Sequence, residues 1–245
     1  MIPTPSISPR TLPAWLLDAR ARTKLLVDDL SDEQLLGPRL STVNPLLWEI
    51  GHVAWFQEKW VLRRHGASSM RDDADSLYDS AAIPHDVRWD LLLPNRGETC
   101  AYMQRVLDRV LSQVQRNENP EDAYYCQLAI FHEDMHAEAF AITRQTLEYP
   151  APQISSHSLV VSGSPSTSEG DAKIAGGTYF LGATSYEPFV FDNEKWAHPV
   201  ELAPFSIARV PVTQSEFAEF VEDGGYSRRE CWSAAGWVWL SKLET

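Results

Sequence analysis

Cysteine is scarce in this chain, and what there is does not pair. Cys100, Cys126 and Cys231 are odd in number, widely separated and form no CxxC pair. That excludes a disulfide framework and points to a reducing, cytoplasmic setting. Long apolar runs are missing as well, and none approaches the ~20 residues of a membrane-spanning helix. The opening Met1-Ile-Pro-Thr-Pro-Ser has neither the basic start nor the apolar core of a signal peptide. Positive charge is in short supply, with 21 Lys and Arg against 34 Asp and Glu and a net charge of −13. Nucleic acid and anionic membrane are therefore not expected partners. The few cations remain free to cluster around an anionic small molecule. Glycine and proline are absent altogether between residues 121 and 148, and that uninterrupted stretch holds the most informative pattern in the chain.

Read in order, residues 1–10 are Pro- and Ser-rich and read as a flexible arm. Leu12, Trp15, Leu16, Ala19, Leu26 and Leu30 mark a first helix over about 11–30. Ser31-Asp32-Glu33-Gln34 reads as a capping box opening a short turn that Gly37-Pro38 stops. Asn44 as N-cap and Pro45 at the first helical position open a second long helix, running to about Arg64 and ending near His65-Gly66. Its strips carry Trp48, His52, Trp55, Phe56, Lys59 and Leu62, which places His52 on an aromatic, buried face. Residues 66–94 lack sustained periodicity and read as an ordered excursion, of a length that is often functional. A third helix follows over about 96–115. Asn117 to Pro120 breaks it and starts the fourth.

Four helices with short or moderate connections make a bundle, and bundle interiors are common metal sites. Composition shifts at Tyr149-Pro150 to Ser, Gly and Pro. Beyond that shift the chain turns β-like, with short strands within 174–182 and 200–210. A helix capped by Thr213 then carries Phe217, Phe220 and Val221 and closes at Gly224-Gly225. The expected fold class is α+β. The expected organisation is an arm at 1–10, a helical bundle at 11–150, a linker at 151–172 and an α+β region at 173–245.

Within the fourth helix, Leu128, His132, Met135, His136, Ala139 and Thr143 recur at three- and four-residue steps. His132 and His136 therefore stand one turn apart on one face, roughly 6 Å along the axis. Two imidazoles at that spacing can converge on one ion. They supply only two ligands, and spacing alone leaves metal binding and a hydrogen-bonded core pair both open. The string His132-Glu133-x-x-His136 also matches the zinc-hydrolase motif, in which the glutamate activates a metal-bound water.

Two sets of phrases carry a family resemblance. Gly51-His52 flanked by Trp48 and Trp55, followed by His132-x-x-x-His136-x-Glu138, resembles the DinB-like four-helix bundle of the ergothioneine-type sulfoxide synthases. Gly176-Gly-Thr-Tyr-Phe-Leu-Gly182, Phe191-Asp-Asn-Glu194, His198-Pro-Val200, Pro211-Val-Thr-Gln214 and Asp223-Gly-Gly-Tyr226 resemble the opening of a formylglycine-generating-enzyme-like (FGE-sulfatase, C-type-lectin-like) domain. Within that ergothioneine/ovothiol/selenoneine synthase family, Asn44 to His52, Leu77 to Ser80, His85 to Trp89 and His132 to His136 with Thr143 to Leu147 are most similar to the selenoneine synthases.

The resemblance implies nonheme Fe(II) held by His52, His132 and His136. It also implies an oxygen-dependent coupling of hercynine to a selenosugar, or, in the ergothioneine branch, to a cysteine-type thiol. It implies further that a proton-donating tyrosine and other catalytic residues lie late in the second domain, beyond Thr245, so none is assigned here. Many ergothioneine synthases carry Gln immediately before the second histidine of the motif, where this chain has Met135. Glu138 and Met135 are the candidates for groups beside the ligands, and Arg88 and Tyr78 for gripping a polar substrate. Three alternatives stay open on sequence: a zinc hydrolase, a zinc-dependent DinB-type thiol transferase, and a ligand-binding protein without catalysis.

Overall fold

The computed structural model of the chain describes residues 11–116, 119–153 and 170–243. The expected arm and most of the expected linker lie outside them. Contacts divide the chain into two compact units. The first takes in residues up to 158 together with Gly182–Ala197, and the second comprises 159–181 and 198–245. Gly182–Ala197 thus falls with the helices, although chain order would assign it to the α+β region.

In the first unit, α1 (Leu12–Val27) buries Leu12, Leu16, Ala19 and Leu26, the face that its periodicity predicts. Helix α2 (Asp32–Leu36) is closed at its start by the expected box. Gln34 N–H donates to Ser31 Oγ at 3.2 Å, and Ser31 N–H to Gln34 Oε1 at 2.9 Å. Helix α3 (Leu46–Gln57) begins one residue later than expected. Pro45 occupies the cap with a non-helical ψ of 122°, and its carbonyl accepts from Glu49 N–H at 3.0 Å. Asn44 is thereby released from capping, and its side chain turns inward.

The same rod continues through a π-helical turn, Glu58–Leu62, and a 3₁₀ turn, Arg63–His65, before Gly66 ends it at φ 81°. A π turn inserts one extra residue and so re-aims the side chains after it. Glu58 here is fully buried, accepting from Tyr102 Oη at 2.5 Å and Met70 N–H at 2.7 Å. The excursion at 66–94 is ordered, as expected. It holds α4 (Ala74–Tyr78) and a 3₁₀ turn, His85–Trp89. Helix α5 (Arg96–Val114) starts with a reciprocal Asn95–Glu98 cap. Helix α6 (Pro120–Thr146) is capped by Asn119, with proline in its first turn.

Helices α1, α3, α5 and α6 form the bundle, with α1 packed along α6 and α3 along α5, closed by α3–α6 and α1–α5 contacts. Trp48, Tyr78, Tyr102, Val106 and Phe140 are among the residues filling its core. Buried Arg144 fastens the end of α6 to the end of α1. Its guanidinium meets both oxygens of Asp29 at 2.7 and 2.9 Å and donates to the Leu26 carbonyl at 2.9 Å. That carbonyl is one of those a helix end leaves without an internal partner.

The second unit has two antiparallel pairs. Strand β1 (Asp171–Ile174) runs against β4 (Phe205–Ala208), with Asp171 opposite Ala208. Strand β2 (Gly177–Leu181) runs against β3 (His198–Leu202), with Gly177 opposite Leu202. Pro204 lacks the N–H a ladder needs, and it lies in the break that splits the stretch expected at 200–210 into β3 and β4. Helix α7 (Gln214–Glu222) has its Thr213–Glu216 box and ends at Gly224, which takes φ 71°. Helix α8 (Ala234–Leu240) follows. Chain and fold class are thus α+β, as the sequence implies.

Candidate metal centre

Helices α3 and α6 bring together what the sequence separates by eighty positions. His52, His132 and His136 each offer a ring nitrogen, and the three lie within 4.8 Å of one another. His52 Nε2 stands 3.2 Å from His132 Nε2. Two nitrogens each bound at about 2.1 Å to one ion would have that separation at an angle of about 100°.

His52 is the most firmly held. Its Nδ1 donates to the Tyr78 carbonyl at 2.7 Å, which fixes the tautomer and leaves Nε2 with its lone pair toward the other two rings. The excursion is pinned so that this carbonyl is in place. Trp48 Nε1 donates to the Leu77 carbonyl at 2.6 Å, and Trp55 Nε1 to Asp75 at 2.7 Å. Trp48 also stacks on the His52 ring at 4.8 Å and 10°. Phe56 lies flat on His132 at 3.6 Å and 8°. Aromatic faces thus hold two of the three imidazoles without spending the nitrogens.

Burial pushes His52 down to about 3, with neighbouring His136 acting the same way and the Tyr78 bond opposing. Burial, then His136 and His52, takes His132 down to about 2. Both are therefore neutral at physiological pH, the form a cation would require of a ligand. The donor set fits a divalent first-row ion, and three neutral nitrogens do not by themselves choose among iron, zinc and copper.

A stability consequence follows. Unfolded, each imidazole takes a proton near 6.5; folded, only near 3 or 2. Below 6.5 the unfolded chain therefore binds protons that the folded one refuses. The stability is fully present above 6.5 and is lost as pH falls. The metal-free protein is expected to lose roughly 1.4 kcal/mol per pH unit for each of these imidazoles. Urea midpoints at about pH 7.5, where this contribution is full, and in steps from about pH 6 to 4.5, where the slope develops, check this, with a shallower slope expected for His132→Leu.

Gly51 is fixed by the same arrangement. A Cβ there would lie 2.3 Å from Tyr78 Cε1 and 2.4 Å from Cζ, and that ring is fully buried. Gly51→Ala is expected to cost about 1–3 kcal/mol or more by overpacking. Displacing Tyr78 would also loosen the carbonyl that orients His52. Urea denaturation and metal titration of the variant read the two effects separately.

Tyr78 does not present its side chain to a substrate. Its ring is core, stacked toward Tyr102 at 6.2 Å, and its contribution is the backbone carbonyl. Arg88 is half-buried, with its guanidinium 4.0 Å over Trp48 and Nη1 donating to Asn44 Oδ1 at 2.7 Å. Its buried Nε has no partner. Glu138 is exposed and, among the described residues, makes no hydrogen bond or ion pair. Two positions beyond His136, it is rotated about 200° around the helix from it. Met135 is 58% exposed and lines a pocket of about 330 Å³ with Phe56, Leu128, His132 and the 191–194 turn.

Glu133, the glutamate of the hydrolase-like string, is committed elsewhere. It pairs with buried Arg20 at 2.7 Å and accepts from Thr23 Oγ1 at 2.9 Å, which leaves it unsuited to activating a water at the histidines. The carboxylate that does stand beside the cluster is Glu49, whose Oε1 lies 3.4 Å from His136 Nδ1. Glu49 is not among the residues the sequence pattern singles out. Its signal is the Glu49–His52 spacing of three, one turn on one face of α3.

A family model described as the DinB superfamily matches residues 16–140. The chain belongs to the DinB superfamily. A second model, a sulfatase-modifying factor enzyme 1-like domain, matches residues 158–245 downstream of the DinB bundle. Similar curated proteins are hercynine oxygenases. That of Mycolicibacterium thermoresistibile is 32% identical over 230 residues, covering 91% of this chain and 51% of the relative. That of Mycolicibacterium smegmatis is 31% identical over 236 residues, covering 95% and 55%. That of Mycobacterium tuberculosis is 32% identical over 234 residues, covering 94% and 55%. The chain spans about half the length of these relatives. The order of the two matched models, DinB first and the sulfatase-modifying-factor-like module second, is the order the sequence phrases imply. No described helix is long and apolar enough to cross a membrane.

Proposed function

We propose that this chain carries the metal centre of an oxygen-dependent, cytoplasmic enzyme that acts on hercynine, with Fe(II) held by His52, His132 and His136. The observation that carries the reading is the convergence of three imidazoles, two of them neutral by burial, from two helices of the bundle. The relatives' common designation supports hercynine as substrate and oxygen as co-substrate. When bound, Fe(II) supplies open coordination positions and redox capacity for joining a chalcogen donor to an imidazole carbon. The chain's own residues do the rest. Tyr78 O and the Trp48 face hold His52, and Phe56 shields one side of His132. The adjoining pocket has room for a small imidazole amino acid, and the Asp192 and Glu194 carboxylates at it suit a trimethylammonium charge. Arg88, a half-buried cation stacked on Trp48 and bonded to Asn44, is the candidate for an anionic group of the donor.

For the donor, this reading favours a selenosugar and a carbon–selenium bond, on the phrases most similar to the selenoneine synthases, with Met135 as a chemically compatible neighbour. A soft thioether is exposed at the pocket where many ergothioneine synthases place an amide. The alternative is a cysteine-type thiol and a carbon–sulfur bond. The test is anaerobic reconstitution of the full-length protein with Fe(II), then oxygen and hercynine with either donor, read by mass spectrometry. Transfer from the selenosugar is expected. Exclusive transfer from the thiol overturns the selenium assignment alone, and absence of oxygen uptake with either donor overturns the whole reading.

A further inference from the structure

Glu49 is a buried carboxylate with an unfinished set of partners. It is 2% exposed. Oε1 accepts from Asn44 Nδ2 at 3.0 Å, and Asn44 in turn accepts from Arg88 Nη1 at 2.7 Å. Oε2 is buried with no partner, and so is His136 Nδ1. Glu49 Oε1 lies 3.4 Å from His136 Nδ1, an ion-pair distance at the long end for a hydrogen bond, and the two are not aligned to make one. Leaving a carboxylate oxygen and an imidazole nitrogen buried and unsatisfied side by side costs stability. The cost is offset if the two meet when the other nitrogen of His136 engages a cation, since a metal-bound imidazole polarises its remaining N–H and gives it to a carboxylate.

We propose that Glu49 is the positioning residue of the metal centre. It takes the Nδ1–H of His136 when Nε2 engages the ion, and Asn44, braced by Arg88, holds the carboxylate at the right place. This rests on the three-histidine reading above and adds to it a fourth, non-ligating residue. Glu49 also brings a negative charge close to the ion, which favours a divalent cation over none. Pro45 taking the cap of α3 is what leaves Asn44 free for this role.

The test compares the 245-residue chain with Glu49→Gln, Glu49→Leu and Asn44→Ala, using Fe(II) under anaerobic conditions against a competing chelator. Co(II) absorption serves as a second probe of ligand geometry. Glu49→Leu is expected to weaken Fe(II) binding about 10–100-fold and to shift the Co(II) bands, with Glu49→Gln and Asn44→Ala intermediate. The metal-free thermal midpoint of Glu49→Leu and Glu49→Gln is expected to stay level or rise, because an unsatisfied buried charge has been removed. Fe(II) affinity within twofold of the unaltered chain in Glu49→Leu overturns the inference. A fall in metal-free midpoint in both Glu49 variants alongside weaker binding also overturns it, by marking a purely structural carboxylate. If the unaltered chain binds no Fe(II), the metal centre itself fails, and that result is distinct from either of the others.

Discussion

His132→Ala is expected to lower metal affinity by more than the ~100-fold that loss of a neighbouring, non-ligating partner costs, and to end metal-dependent turnover. The fold is expected to survive, with a stability change under about 2 kcal/mol. The imidazole contributes one flat contact with Phe56 but also a buried Nδ1 that no group satisfies, so packing lost and desolvation relieved act in opposite directions. His132 belongs to both the cluster and the pocket, so its removal separates the rival readings. A ligand-binding protein without catalysis would keep its affinity for hercynine in the metal-free variant. A metal enzyme loses oxygen uptake and metal together while its circular dichroism stays that of a helical bundle. Calorimetric titration with hercynine and metal analysis of the purified variant are the measurements.

The bundle was legible because each helix advertises itself locally. The Ser31–Gln34 box and Pro120 in the first turn of α6 are one-turn devices whose chemistry does not depend on the rest of the chain, and in the second unit Thr213 and Gly224 mark the two ends of α7 in the same way. The His132–His136 pair is legible for the same reason. What brings His52 to it is different in kind. That needs the packing of α3 on α6, and before the structure only a resemblance supplied it. Glu49 stayed hidden because a carboxylate one turn from a histidine is an ordinary surface pattern. Nothing local says that both are buried or that His136 arrives from another helix. Tyr78 misled for a related reason: its value to the site is a carbonyl, which any residue would carry, while its ring answers to Gly51. The π turn at Glu58–Leu62 likewise leaves no mark that periodicity can read, since one extra residue in a long apolar rod shifts the pattern by only a third of a turn.

The largest stability effect is expected at the Arg20–Glu133 pair, which also decides what the His-Glu-x-x-His string means. Arg20 is 4% exposed and Glu133 1%. The guanidinium spans the bundle from α1, with Nη1 on the Met103 carbonyl of α5 at 2.7 Å and Nη2 on Gln57 of α3 at 3.3 Å. Its Nε and Nη2 meet both oxygens of Glu133 on α6 at 2.7 and 3.3 Å. Arg20→Met would strand a carboxylate in the core with Thr23 as its remaining donor, and about 3–5 kcal/mol is expected to be lost. Restoring neutrality with Arg20→Met/Glu133→Leu is expected to recover most of it, because two charges taken out of water roughly cancel their own attraction. Equilibrium denaturation of Arg20→Met, Glu133→Leu and the double variant gives the coupling. The chemical consequence runs through the same residue. A hydrolase that used Glu133 as its base would lose activity in Glu133→Gln at unchanged stability. A carboxylate spent on Arg20 predicts the opposite: a destabilised protein whose remaining folded fraction keeps its metal and its oxygen chemistry, measured per folded molecule at low temperature.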